Sequence, residues 1–281
     1  MNFNKTYCVL VVIIFILIIL VCSKRRNIIN SKNVNSSENI KSLVTLERFN
    51  NNNNNINNIN NNNPWKDSIV YKKDFKIKYL HRNPDIILVK NFMTPYECDY
   101  LIDLGEPHIK KSEVCGKGGS KPDKNRTSMT AHIGKMFLDN DKYDPVLANI
   151  RRKAGLFSSK NEKNVEPIQL VRYHPGQFFK SHYDYLDRNV DIYKENIEKN
   201  GQREFTFFVY LNNVPKENGG TTYFPKLSKH FQAGKGQAIF WSNMVNGEDD
   251  KRTLHSGTEL FEGVKYGLNV WVREKEYIGG K

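Results

Sequence analysis

His182-Tyr183-Asp184 places an imidazole and a carboxylate two residues apart within an apolar and aromatic run. In an extended strand alternate side chains share a face, so residues i and i+2 project together. His182 and Asp184 can therefore reach one ion from one face of one strand. His255, far downstream, would come from a neighbouring strand as the third ligand. Two imidazoles and one carboxylate on one side of an ion leave three positions open, the facial arrangement of non-haem Fe(II) oxygenases. A 2-oxo acid can chelate through two of those positions and dioxygen can take the last. The metal then carries the redox chemistry while the protein sets geometry and electrostatics. Lys265 follows, between Gly263-Val264 and the apolar run 266–272. Taken alone it reads as a solvated side chain. Pointing inward in such a strand, it needs an anionic partner or it carries a large desolvation cost.

The elements that must position these residues are mostly short strands. Ile168–Tyr173 is a β-rich run ended by His174-Pro175-Gly176, and Glu204–Leu211 is apolar enough for the middle of a sheet. Glu217-Asn218-Gly219-Gly220 is a turn before Thr221–Phe224, and Gly236–Trp241 and Tyr266–Val272 complete the set. Short strands between Gly-rich turns indicate a jelly roll or sandwich. Ahead of them lie two helix starts. Thr94-Pro95-Tyr96-Glu97 has the N-cap, the N1 proline and the N3 glutamate of a capping box, and Asp144-Pro145 opens a second helix. The fold class expected is α+β, with the helices buttressing one face. Lys110 to Arg126, rich in Gly, Lys and Ser, reads as a mobile loop. The histidines at 81, 108, 132, 174 and 230 have no partner at ligand spacing and read as surface or core residues.

The 281-residue chain carries a formal charge of +13, from 43 Lys and Arg against 30 Asp and Glu. The lysines are scattered, with no basic helix, stripe or nucleic-acid motif, so a solvated surface is favoured over nucleic-acid binding. Attraction to acidic or glycan-bearing partners stays open. Cys8–Cys22 is unbroken apolar sequence spanning roughly 22 Å as a helix, short of a ~30 Å hydrocarbon core. It reads as a signal peptide, with an uncleaved short anchor as the alternative, and either sets up membrane contact through residues 8–22. Lys24, Arg25 and Arg26 argue for a cytoplasmic C-terminal side, against the secretory reading; the length and position of the apolar segment favour export. Asn50 to Asn63 is almost pure asparagine and cannot bury a core, so it reads as a disordered tether. The layout expected is a leader or anchor over 1–23, a linker over 24–65 and one catalytic domain over 66–281. Of the four cysteines only Cys98 and Cys115 lie in the folded part; a disulfide and two free thiols are both open. Asn35-Ser36-Ser37 and Asn125-Arg126-Thr127 are permissible glycosylation sequons.

Residues from about Asp85 to Glu274 resemble the catalytic domain of the prolyl 4-hydroxylases, most closely the short plant and algal forms. The matching stretches are Tyr173–Asp184, Gly219–Pro225, Leu254–Gly257, Gly263–Lys265 and Asn269–Arg273, in the family's order and spacing. The resemblance implies a double-stranded β-helix (jelly roll) with N-terminal supporting helices and Fe(2+) on His182, Asp184 and His255. It implies that Lys265 pairs with the distal carboxylate of 2-oxoglutarate, that Tyr173 hydrogen-bonds this co-substrate, and that Thr206 and Trp271 line its pocket. Arg126 and Ser128 match an Arg-x-Ser element of a mobile loop that folds over the peptide, and Arg203 an arginine used near the substrate. The implied activity is 4-hydroxylation of peptidyl proline, with L-ascorbate as auxiliary cofactor, in the lumen of the endoplasmic reticulum or Golgi, as a type II membrane protein or secreted.

Three positions depart from the pattern. Phe179 stands where an aromatic hydroxyl is common, Thr221 replaces a glutamate, and Arg188 to Gly201 is long and charged. None touches the metal or co-substrate, so the departures bear on the substrate. A lysyl hydroxylase disagrees with Lys265, where arginine is usual. A silent peptide- or glycan-binding jelly roll has no need of His182, Asp184, His255 and Lys265 together. A zinc hydrolase leaves Lys265 unexplained.

Overall fold

The computed structural model describes residues 75–116, 119–134 and 144–279. The expected leader or anchor over 1–23, the linker over 24–65 and the sequon at Asn35 lie outside the described residues. Among those described, no helix is long and apolar enough to cross a membrane.

The strands are β1 (Lys76–His81), β2 (Ile86–Lys90), β3 (Lys110–Lys111), β4 (Glu113–Gly116), β5 (Gly119–Pro122), β6 (Met129–Ala131), β7 (Gln169–Tyr173) and β8 (Phe179–His182). They continue with β9 (Arg203–Tyr210), β10 (Thr222–Phe224), β11 (Lys229–Phe231), β12 (Ala238–Ser242), β13 (Met244–Val245), β14 (Glu248–Asp249), β15 (His255–Gly257) and β16 (Lys265–Arg273). Helices α1 (Pro95–Gly105) and α2 (Pro145–Phe157) precede β7, and α3 (Asp191–Asn200) separates β8 from β9. An eight-stranded sheet runs β1-β2-β12-β9-β16-β7-β6-β3, and a four-stranded sheet runs β11-β10-β15-β8. Every named pairing is antiparallel, as a jelly roll requires.

Strand β9 is central in the larger sheet, and both of its faces are buried. On one face Phe207 meets Phe92, Phe157 of α2 and Phe240, at ring separations of 5.2, 5.5 and 4.7 Å. On the other, Phe208 and Tyr210 join Phe224 and Phe231 of the smaller sheet in one core cluster. The period-2 alternation of β9 thus splits its side chains between a helix-backed layer and the space between the sheets. Both caps form as expected. Thr94 Oγ1 accepts from Glu97 N–H at 3.2 Å while Glu97 Oε2 accepts from Thr94 N–H at 2.7 Å, and Asp144 Oδ1 accepts from Leu147 N–H at 2.9 Å. Helix α1 ends at Gly105, where a Cβ would lie 2.3 Å from Leu170 of β7, so only glycine lets the helix sit this low.

One expectation changes. Lys110–Arg126 is not an irregular loop: β4 and β5 pair from Glu113↔Pro122 to Gly116↔Gly119 as a hairpin. Backbone pairing holds the two arms. Arg188–Gly201 contains α3, which is anchored by Arg273 donating to Asn196 Oδ1 at 2.7 Å and to Gly201 O at 2.8 Å. Cys98 is a free thiol on the buried side of α1, the second of the two open readings; burial pushes its pKa up to about 12.

Candidate active site

Strand β16 forms the floor of a cavity between the sheets. Lys265, Asn269 and Trp271 share one face at even spacing and all line it, while Leu268, Val270 and Val272 pack on the opposite face. Register sets the neighbours: Lys265 opposes Tyr173 of β7, and Trp271 opposes Thr206 of β9.

The smaller sheet brings the ligands together, because His182 of β8 is the cross-strand partner of His255 of β15. Strand β8 ends at His182, so Asp184 lies just beyond it in a bend, yet the i, i+2 relation still turns both side chains inward. His182 Nε2 is 3.8 Å from Asp184 Oδ1, and His255 Nε2 is 3.6 Å from Asp184 Oδ2. All three ligand atoms lie within 4.8 Å of one another. Each imidazole has Nδ1 on a backbone carbonyl, His182 on Lys180 O at 2.8 Å and His255 on Thr253 O at 3.0 Å. A carbonyl only accepts, so Nδ1 carries the proton and Nε2 keeps its lone pair for a metal. Burial, then the second imidazole, pushes the His182 pKa down to about 3, which keeps it in the neutral, ligating form. Burial alone would raise the Asp184 pKa, but the facing imidazoles, Arg203 and the Thr206 hydrogen bond hold it below the usual carboxylate range. Phe179 stacks on His182 at 3.6 Å, and the Trp241 indole meets His255 edge-on at 4.8 Å.

Lys265 lies deeper in the same cavity and is 2% exposed. Its Nζ donates to Gly220 O at 2.7 Å and lies 4.8 Å from the Phe208 ring and 5.2 Å from each of Tyr173 and Tyr210. Gly220 adopts φ +63°, and a Cβ there would crowd Leu260 at 3.0 Å, so this carbonyl contact depends on glycine. No described carboxylate pairs with Lys265, and burial pushes its pKa down to about 7. A cavity with a three-ligand metal set at one end and an unpaired buried ammonium at the other fits a chelating dicarboxylate. The hydroxyls of Tyr173, bonded to Ser128, and of Thr222, 2.7 Å from Tyr210 Oη, sit near the ammonium end.

Seven of the ten residues singled out in the sequence line the cavity: Arg126, Tyr173, His182, Asp184, His255, Lys265 and Trp271. Three do not. Thr206 is not part of the lining; its Oγ1 donates to Asp184 Oδ2 at 2.9 Å. Thr222, missed in the sequence, lines the cavity instead; the signal was its place at the start of a strand whose next residue on the same face, Phe224, is wholly buried. Arg203 grips Glu166 through Nε at 2.7 Å and Nη2 at 2.9 Å and lies 3.7 Å over the Trp271 ring, so its charge is spent inside the protein rather than on a substrate. Ser128 is fully buried, 2.9 Å from Ser112 Oγ, and backs Tyr173. Glu166, between Arg203 and Arg273 (2.5 Å), was also missed; nothing local marks it, because its partners are remote in sequence.

Arg126 is built into the cavity wall. Asn125 O accepts from Lys180 N–H of β8, Thr127 N–H donates to Phe178 O just before that strand, and the Arg126 guanidinium donates to Glu113 O and Gln169 Oε1. Its charge lies 4.8 Å from the Phe179 ring, the position where the family's hydroxyl is absent. The indole N–H of Trp271 is buried with no partner among the described residues, a donor left for a bound molecule.

Comparison with known proteins agrees with this chemistry. The family model for the 2OG-Fe(II) oxygenase superfamily matches residues 168–273. Prolyl 4-hydroxylase 1 of Arabidopsis thaliana is 32% identical over 212 residues, covering 69% of this chain and 70% of that protein. A putative prolyl 4-hydroxylase of Acanthamoeba polyphaga mimivirus is 30% identical over 193 residues, covering 68% and 74%. The crystal structure of the viral collagen prolyl hydroxylase of Paramecium bursaria Chlorella virus 1, a 2OG complex, matches with a TM-score of 0.50 at 28% identity. It covers 66% of this chain and 94% of that one.

Proposed function

Because the chain belongs to the prolyl 4-hydroxylase family of 2-oxoglutarate- and Fe(II)-dependent oxygenases, we propose that it hydroxylates peptidyl proline at the 4-position. The observation that carries the reading is Lys265, a buried ammonium with no protein anion, at the far end of a cavity whose other end holds His182, Asp184 and His255. When bound, Fe(II) and 2-oxoglutarate supply the oxidising chemistry: one atom of dioxygen goes to proline, the other to succinate, and carbon dioxide leaves. His182 Nε2, His255 Nε2 and an Asp184 oxygen hold the ion. Lys265 Nζ, with the hydroxyls of Tyr173 and Thr222, binds the distal carboxylate and fixes the length of acid that fits. The rings of Phe208, Trp241 and Phe179 keep water from the cavity walls. Arg126 and the Trp271 N–H face the remaining space and hold peptide carbonyl groups.

Mass spectrometry tests the assignment directly. A panel of proline-containing peptides incubated with the full chain, Fe(II), 2-oxoglutarate and ascorbate as reductant should gain one oxygen atom on prolyl residues alone. Oxygen on lysine, or none on any peptide while succinate still forms, would overturn the substrate assignment.

The cellular setting we propose is a secretory lumen, reached through a leader or type II anchor over 1–23, with 24–65 as tether and 66–281 as the catalytic domain. Support comes from the apolar run 8–22 and the Asn-rich tract 50–63. Protease protection of the catalytic domain in sealed microsomes tests it; digestion without detergent would place that domain in the cytosol.

A further inference from the structure

Among the buried polar residues that serve neither metal, co-substrate nor peptide, Asn243 lies one hydrogen bond from Thr206. Asn243 follows β12 and has no exposed surface. Its amide is fully used: Oδ1 accepts the Trp241 Nε1–H at 2.8 Å, and Nδ2 donates to Arg203 O at 3.2 Å and to Thr206 Oγ1 at 2.9 Å. An indole N–H can only donate, so the orientation of the amide is fixed. A hydroxyl has a single proton. With Asn243 donating into its oxygen, Thr206 turns that proton to Asp184 Oδ2, 2.9 Å away. The relay therefore has one polarity, from Trp241 through Asn243 and Thr206 to Asp184. The Asn243 backbone is tied separately, its N–H to Glu204 O and its O to Asp250 N–H, each at 2.8 Å. The turn is held without the side chain, so the side chain is free to serve the relay.

We propose that Asn243 is a positioning residue for the metal carboxylate: it sets the direction of the Thr206 hydroxyl, which engages Oδ2 of Asp184 and leaves Oδ1 free for the ion. The proposal rests on the Fe(II) reading above. Partners that orient metal ligands in this way typically contribute about 10–100-fold to metal affinity.

Mn(II) titration of the metal-free full chain, read by the signal of the free ion, tests it without turnover. In Asn243→Asp the side chain keeps its shape and still accepts from Trp241, but its second oxygen draws the Thr206 proton away from Asp184. Added negative charge alone would tighten Mn(II) binding, whereas a broken relay weakens it, by about 10–100-fold. Thr206→Val should weaken binding by a similar factor and Thr206→Ser should stay near wild type. In the Thr206→Val background the Asn243→Asp change should weaken binding no further, because its route through the Thr206 hydroxyl is gone. Asn243→Ala gives the same readout should the aspartate variant fail to fold. Unchanged or tighter binding in Asn243→Asp, or additive losses in the double variant, would overturn the proposal. His182→Ala separates the two layers: if it binds Mn(II) like wild type, the metal assignment itself has failed.

Discussion

Asp184 and Lys265 are both buried charges in one cavity, and the protein treats them in opposite ways. Asp184 faces two imidazoles, accepts the Thr206 hydroxyl, and has Arg203 at its backbone carbonyl. Lys265 has one carbonyl and three aromatic rings. The anion is satisfied before anything binds, so its geometry is set in advance. Lys265 is left without the counter-charge that would hold its proton, so the interaction energy is withheld until the right acid arrives. A binding site can thus be located by the charge that the fold leaves unpaired, as much as by the groups it gathers.

The largest effects should come from the anionic end. His182→Ala, Asp184→Ala and His255→Ala should each abolish turnover, because two ligands hold the ion weakly and in the wrong orientation. Near-normal succinate production by any one of them would break the comparison at its first term. At the other end, Lys265→Ala should raise the 2-oxoglutarate requirement at least about a hundredfold, since losing one partner of a buried charge pair costs ~3–5 kcal/mol. The peptide requirement should move little. If it moved instead, Lys265 would belong to the peptide groove.

Arg126 lies between these extremes: its buried guanidinium is held by neutral acceptors, and its Nε has no partner among the described residues. Arg126→Ala should weaken peptide binding by about ten- to a hundredfold, the range of a hydrogen bond to a charged group. Decarboxylation of 2-oxoglutarate without peptide should persist. Because Arg126 joins the β4–β5 hairpin at Glu113, a proline-containing peptide with metal and co-substrate should slow proteolysis across 110–128. Equal cleavage with and without peptide would show that the hairpin is no lid.

The ligands were legible because strand alternation is local: His182 and Asp184 declare themselves two residues apart, and Lys265 by the apolar run after it. The capped starts of α1 and α2 were legible for the same reason. What stayed hidden depends on register. Thr206 and Thr222 both sit in apolar strands, and only the pairing of Trp271 with Thr206 shows which hydroxyl turns to the carboxylate and which to the cavity. Glu166 and Asn243 have partners that local sequence cannot supply. The strand β1 was obscured by its lysines, which keep an edge strand soluble. Helix α3 was obscured by charge, since its docking relies on Arg273 rather than on an apolar stripe.

The smallest expected effect reads the difference between the two ends most directly. Burial lowers the Lys265 pKa from 10.5 to about 7, so in the empty protein above pH 7 the amine is mostly neutral. A bound carboxylate favours the charged form and returns the proton. Binding of 2-oxoglutarate at pH 8, with Mn(II) as a redox-silent metal, should therefore take up close to one proton. Calorimetry in buffers of different ionisation enthalpy measures this directly. Affinity should fall by up to about tenfold per pH unit above 7, the limit for one coupled proton. Stability of the empty protein should move the other way. Between pH 7 and 10.5 the unfolded chain holds a proton on this amine that the folded state has released, so stability rises with pH across that window. Lys265→Met should remove both trends. Proton uptake that persists in that variant would assign the linkage to another group, and the charge left open for the ligand would not be Lys265.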